Sequence, residues 1–150
     1  MSRRYAREDT FRIVFSSLIN KMEADEYLAE YFESVKNPAL SKKDVAFLNS
    51  DNPDDCEYVR KVVDGVIEKK DEFDKIISEN LRGWEANRIS KVSIAVIRLA
   101  LFEMLYLSDV PMKVAINEAV DIAKRYDGQE CASFVNGVLA SAVSKLGIEE

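Results

Sequence analysis

Residues 91–107 contain the run VSIAVIRLALFEMLYL, which is apolar on every side of a helical wheel. A helix of that kind must be surrounded by other elements rather than laid on a surface. It is too short and carries too much charge to cross a bilayer, which takes roughly 18 to 20 uninterrupted apolar residues. The run therefore predicts a protein built around one central helix. The remaining segments must supply the elements that cover it.

Helical periodicity answers that question nearly everywhere. Over residues 5–22, Phe11, Val14, Phe15, Leu18 and Met22 fall on one face. Residues 25–36 repeat the pattern with Tyr27, Leu28, Tyr31, Phe32 and Val35, until Asn37-Pro38 stops it. Residues 38–53 are polar around Val45, Phe47 and Leu48, and predict one short helix. Asp51-Asn52-Pro53 opens a further helix, with proline in its first turn. That helix runs to about Lys70 through Tyr58, Val59, Val62, Val63, Val66 and Ile67. Residues 71–81 form a separate helix closed by Gly83, and residues 83–90 are the expected joint between two halves. Pro111 opens the helix after the central run, Asp127-Gly128 stops it, and residues 131–146 make the last one. No strand alternation of useful length occurs. The expectation is an all-α protein of six or seven helices in two packed subdomains, about 1–83 and 84–150.

Composition narrows the chemistry. Histidine is absent, which removes Ser-His-Asp and Cys-His nucleophiles and histidine-ligated metals. Cys56 and Cys131 lack CxxC spacing and read as buried small hydrophobes. The acidic groups Asp54, Asp55, Glu57 and Asp71, Glu72, Asp74 lack the ligand order of a calcium loop and fit first turns of helices. No metal, cofactor or enzymatic activity is expected. MSRRYARED is followed by no apolar signal core, so the chain is expected in the cytoplasm.

Net charge is −6, from 21 Lys and Arg against 27 Asp and Glu. Residues 1–12 run against that balance, with Arg3, Arg4, Arg7 and Arg12 facing only Glu8 and Asp9. At about 100° per residue, Arg4 and Arg7 share the face of Phe11 and Leu18. Unpaired arginines cannot be buried there. The first turn should then overhang the bundle and offer its guanidiniums to phosphate. The plainer reading is a frayed N-terminus.

In the last helix, Phe134 lies about 100° from the centre of the core face, on the flank of Ser141 and Lys145. It is either a rim aromatic that stacks on an unpaired base or a widening of the core stripe. Gly137, inside the same helix, weakens it by roughly 1 kcal/mol relative to alanine and suggests close approach of another backbone. In the central helix Arg98 and Glu103 point about 140° apart, so each needs a partner elsewhere. Glu118 or Asp121 is expected to pair with Arg98 in a structural ion pair.

The segments RRYARED-FRIVF and RLALFE, VPMKVAINEA and FVNGVL, in that order, resemble the NusB family of antitermination factors. The resemblance covers both ends of the chain. Between residues 24 and 83 it extends mainly to helical character. It implies binding of single-stranded boxA RNA from ribosomal RNA transcripts, jointly with the ribosomal small-subunit protein NusE. That assembly helps RNA polymerase read through terminators. The family's RNA contacts carry onto Arg3, Arg4, Arg7 and Phe134, with Tyr5, Arg12 and Lys145 as lesser candidates. Phe15 and Ser93 fall where the family contacts its protein partner. Phe15 stands where tyrosine is common, and Ser93 where an acidic residue can make that contact. A monomer or a dimer is compatible with this pattern.

Two other readings compete. A similar helical module precedes the catalytic domain of cytosine-methylating ribosomal RNA enzymes. The chain reaches Glu150 without a cofactor-binding unit, so that enzyme is not expected. A helical protein-interaction module that binds no RNA is the second, favoured by the net charge and opposed by the arginine tip.

Overall fold

The computed structural model describes residues 3–19, 54–81 and 89–147. Among them are six helices and no strand. The chain divides into two compact units, residues 1–65 and 66–150. The helices expected over 25–36 and 38–53, and most of the joint expected at 83–90, lie outside the described residues.

In the first unit, α1 spans Arg3–Ile19. Ala6, Phe11, Ile13 and Val14 are its buried apolar residues. Phe15 stacks on Phe11 with ring centroids 5.7 Å apart. The polar residues between them are buried too: Arg7, Glu8, Asp9 and Thr10. Thr10 answers its burial by donating to the Ala6 carbonyl at 2.8 Å. Arg12 reaches back one turn to Glu8 at 2.9 Å. The helix α2, Asp54–Glu68, buries Tyr58, Val59, Val62, Val63 and Val66. Ile67 is exposed and does not extend that stripe. α2 ends at Glu68 and α3, Lys70–Glu79, begins after Lys69, within two residues of the expected boundary at about Lys70.

The second unit is organised on α4, Lys91–Tyr106. Of its residues only Lys91 and Tyr106 are exposed, as the all-round apolar run requires. Each fully buried Leu, Ile or Val there contributes on the order of 1.5–3 kcal/mol. Ser90 caps the helix by accepting a hydrogen bond from the Ser93 amide at 3.1 Å. Among the described residues α4 is covered chiefly by α5, Met112–Asp127, and α6, Gln129–Leu146, which also pack on each other. Pro111 sets the entry to α5 with φ −61°. Gly128 takes φ +91° between α5 and α6, and its amide donates to the Lys124 carbonyl at 3.0 Å. Gly147 closes α6 in the left-handed region.

α3 lies against α4 and α6. Phe73, Ile76 and Ile77 form its buried stripe. It ends at Glu79, so Asn80, rather than the expected Gly83, terminates it. The buried Asn80 donates to the Ile76 carbonyl at 2.7 Å and accepts from Ser141 of α6 at 2.6 Å. Lys145 of α6 donates to the Glu79 carbonyl at 2.5 Å, placing a cation at the negative end of α3.

Arg98 corrects an expectation. Its partner is Asp74 of α3, engaged through Nε and Nη2 over 2.9 and 2.8 Å, and not Glu118. Asp121 pairs instead with Arg125 of its own helix at 2.9 Å. α3 packs on the side of α4 from which Arg98 emerges, and a carboxylate there meets the planar fork edge-on. The Asp74 side chain keeps 47% of its surface exposed, so solvent screens the pair. Arg98→Ala should cost about 1 kcal/mol in thermal or urea unfolding, not the several a sealed pair would give. A loss above 3 kcal/mol would show that Arg98 also braces α3 by packing.

Beside that bridge, Tyr106 donates to both carboxylate oxygens of Glu72, and Lys69 sits 4.5 Å over its ring. The bond to Glu72, with desolvation behind it, raises the phenol's pKa. This contribution is present below the phenol's unfolded pKa and fades as pH rises through the folded one.

Candidate nucleic-acid interface

The arginine tip and the Phe134 flank belong to different units, and each has its own geometry. In the first unit, Arg4 is exposed and Tyr5 keeps 46% of its surface open. The side chain of Arg3 lies outside the described residues. Arg7 is buried and engaged within the protein, so the expected overhang does not reach it. A buried guanidinium requires a partner, and the fold supplies one rather than leaving Arg7 to solvent. Arg12, held by Glu8, is half-buried. Of the described cations in this tip, Arg4 is the one presented to solvent.

In the second unit, Phe134 has only 4% of its surface exposed. The flank on which the wheel placed it is occupied at Ser141 and Lys145, both of which serve α3. Phe134 itself borders a cavity of about 240 Å³, lined with it by Ile89, Ser90, Ser93, Asp127, Glu130 and Cys131. The cavity exists because two helix starts converge. Ser90 and Ser93 open α4, while Asp127, Glu130 and Cys131 flank the start of α6. Ser93, expected at a protein contact, is buried on this wall. Its hydroxyl lies 3.0 Å from Ser90 Oγ and 3.1 Å from Cys131 Sγ.

Burial pushes the Cys131 thiol's pKa up, and the Ser93 and Ser90 hydroxyls only partly counter it. The thiol is free and stays protonated at neutral pH. Cys56 lies where side chains are outside the described residues. Asp127 and Glu130 are exposed and give the rim negative charge. The sequence reading missed Ile89, Ser90, Asp127, Glu130 and Cys131. Only the Asp127-Gly128 stop signal marked the turn that brings them together.

Gly137 is a second correction. A Cβ built there meets nothing within 4 Å, so no backbone among the described residues explains the glycine. Gly137→Ala should raise stability by about 0.5–1 kcal/mol in urea unfolding. An unchanged or lowered midpoint would mean that the helix is not regular at that turn.

Among the described residues no group of acidic or cysteine side chains is arranged to hold a metal ion, and no helix is long and apolar enough to cross a membrane.

Comparison with known proteins matches these features to one family. The NusB family model matches residues 4–144. The transcription antitermination protein NusB of Clostridium novyi is 36% identical over 143 residues, covering 95% of this chain and 98% of its own length. The structure of T. maritima NusB superposes with a TM-score of 0.77 at 29% identity, over 97% of this chain and 92% of that one. A structure of antitermination factors NusB and NusE in complex with double-stranded RNA has a TM-score of 0.76 at 24% identity, over 95% and 96% of the two chains. At that identity the last likeness speaks for the fold alone. With the family model running from Arg4 to within two residues of the end of α6, and with an all-helical fold to match, this chain belongs to the NusB family.

Proposed function

We propose that the chain is a transcription antitermination adaptor. It binds single-stranded boxA-type RNA of ribosomal RNA transcripts together with NusE, and through that complex helps RNA polymerase read through terminators. It works by binding, without catalysis, in the cytoplasm, as a monomer or a dimer. The observation that carries the reading is the family match over residues 4–144. A relative of 36% identity, named a transcription antitermination protein and covered over 98% of its length, supports the choice of role.

Within this chain the reading assigns phosphate contact to Arg3 and Arg4, with Tyr5 beside them. Base contact falls to the cavity at Phe134. Arg7 becomes a positioning residue that holds the first turn of α1, since its own guanidinium is buried. Lys145 and Arg12 are committed to Glu79 and Glu8, which lowers what they can offer a strand. The exposed Gly137, one turn beyond Phe134, leaves room for RNA to pass close to α6.

The reading that the chain binds proteins but no RNA draws on the acidic rim at Asp127 and Glu130. Titration of a labelled boxA-type oligonucleotide, with and without NusE, separates the two. Antitermination predicts binding that weakens steeply with salt as phosphate contacts are lost. Partner binding with no RNA binding at low salt would leave the protein-only module standing.

A further inference from the structure

The far end of α4 from the cavity carries an aromatic side chain that the core does not take in. Tyr106, the last residue of α4, keeps 40% of its surface exposed. Its ring is held in place all the same. Phe102 and Phe73 meet it with ring centroids 5.4 and 6.4 Å away, and its hydroxyl donates to both carboxylate oxygens of Glu72. A cation stands over the ring: the ammonium of Lys69, 4.5 Å from the centroid. We propose that this ring and the carboxylates beside it form a receptor for an arginine on a basic protein segment, with Lys69 as the occupant that the arginine displaces. From Ser93 to Tyr106 the helix rises about 20 Å, at roughly 1.5 Å per residue. The receptor is therefore separate from the cavity and does not depend on the RNA-binding reading.

Charge fixes the sign of the occupant. An aromatic face attracts cations through its quadrupole, and the C-terminal end of α4 adds partial negative charge from its last carbonyls. Glu68, the last residue of α2, is close enough for its charge to act on the phenol. Glu68 and Glu72 are both exposed, so an incoming partner meets their charge directly. The Lys69 ammonium shows that a cation settles on this face. The same carboxylates repel phosphate, which makes a nucleic-acid strand the wrong partner here and a basic protein surface the right one.

Shape and hydration then favour arginine over the resident lysine. An ammonium is a compact, strongly hydrated point charge, whereas a guanidinium is planar, less hydrated and stacks on aromatic faces. A stacked guanidinium can still turn its N–H fork to a carboxylate. Glu72 takes one proton from the phenol, and its oxygens keep further lone pairs for such a fork. Lys69 stands between α2 and α3, so its side chain swings to solvent without breaking either helix. The ring, already held by Phe102, Phe73 and Glu72, loses little freedom when an arginine lands on it. An anchor ordered in advance is what a docking hot spot requires.

The test titrates the full chain into a fluorescein-labelled peptide of six Arg-Ser repeats and reads fluorescence anisotropy. General attraction to a protein of net charge −6 would also hold such a peptide, so the deciding variants at Tyr106 keep that charge. Tyr106→Leu should weaken binding about two- to fivefold, the worth of an exposed cation–π contact. Tyr106→Phe, which keeps the ring, should stay near the parent. Lys69→Met, which empties the ring face, should tighten binding more than Lys91→Met, which removes the same charge at the far end of α4. If the leucine variant melts well below the parent, the comparison of the two lysine variants decides. Affinity unchanged by Tyr106→Leu would overturn the receptor and leave general charge attraction in its place. So would a phenylalanine variant as weak as the leucine one, or equal effects of the two lysine variants. No binding of the peptide even at low salt would overturn it outright.

Discussion

Phe134→Ala should lower unfolding stability by about 3 kcal/mol, toward the lower end for a buried phenylalanine. The ring is nearly sealed, so its removal forfeits both transfer energy and contacts. It also borders an existing cavity, and the new void would merge with the old one rather than collapse. In a chain of this length the melting temperature should fall by roughly 6–12 °C. The alanine variant therefore confounds folding with RNA affinity. Phe134→Leu separates them, since it keeps most of the apolar volume and loses only the aromatic face. It should melt near the parent while binding boxA-type RNA more weakly by about 1–3 kcal/mol, the worth of one base contact on an aromatic side chain. A leucine variant with full RNA affinity would assign Phe134 to the core alone.

That prediction differs from the one the helical wheel invites, and the reason shows what sequence can convey. The wheel gives an angle for Phe134 from the core stripe, but not what stands opposite. Ile89, Ser90 and Ser93, some forty residues earlier, supply the wall that encloses it. The same gap misassigned Arg98: spacing shows that it cannot pair with Glu103, yet Asp74 and Glu118 look equally available until α3 is placed against α4. Arg7 failed in a more instructive way. Desolvation demands either exposure or a partner, and one sequence cannot say which. Where a rule is local, it held. The all-round apolar run became the buried α4, Gly128 ended α5, and Pro111 set its start. α3 ended early because the side chain of Asn80 terminates it and Lys145, 66 residues on from Glu79, caps it. Neither device has a sequence signature as plain as a glycine.

The second large effect concerns how a protein of net charge −6 holds a polyanion. The expected result is that NusE and RNA bind this chain cooperatively, each tightening the other by about 5–150-fold. With Arg7 buried and Arg12 held by Glu8, few guanidiniums in the tip remain for phosphate. The acidic body repels the rest of the strand. A basic partner on the same complex would offset that repulsion without any change in this chain's own contacts. Arg4→Ala should then lower RNA affinity with or without NusE, and reduce the salt slope by about 0.7 unit, the worth of one phosphate contact on a single strand. It should leave protein–protein affinity, measured without RNA, nearly unaltered. Arg7→Ala should behave differently and lower the melting temperature, because a buried guanidinium engaged within the fold leaves other polar groups unsatisfied at a cost of about 1–3 kcal/mol. If RNA affinity proves the same with and without NusE, the coupling is absent and this chain must hold RNA unaided. If Arg4→Ala leaves the salt slope unchanged, the tip makes no phosphate contact through Arg4. The two variants together thus distinguish an arginine that meets the strand from one that only holds the helix presenting it.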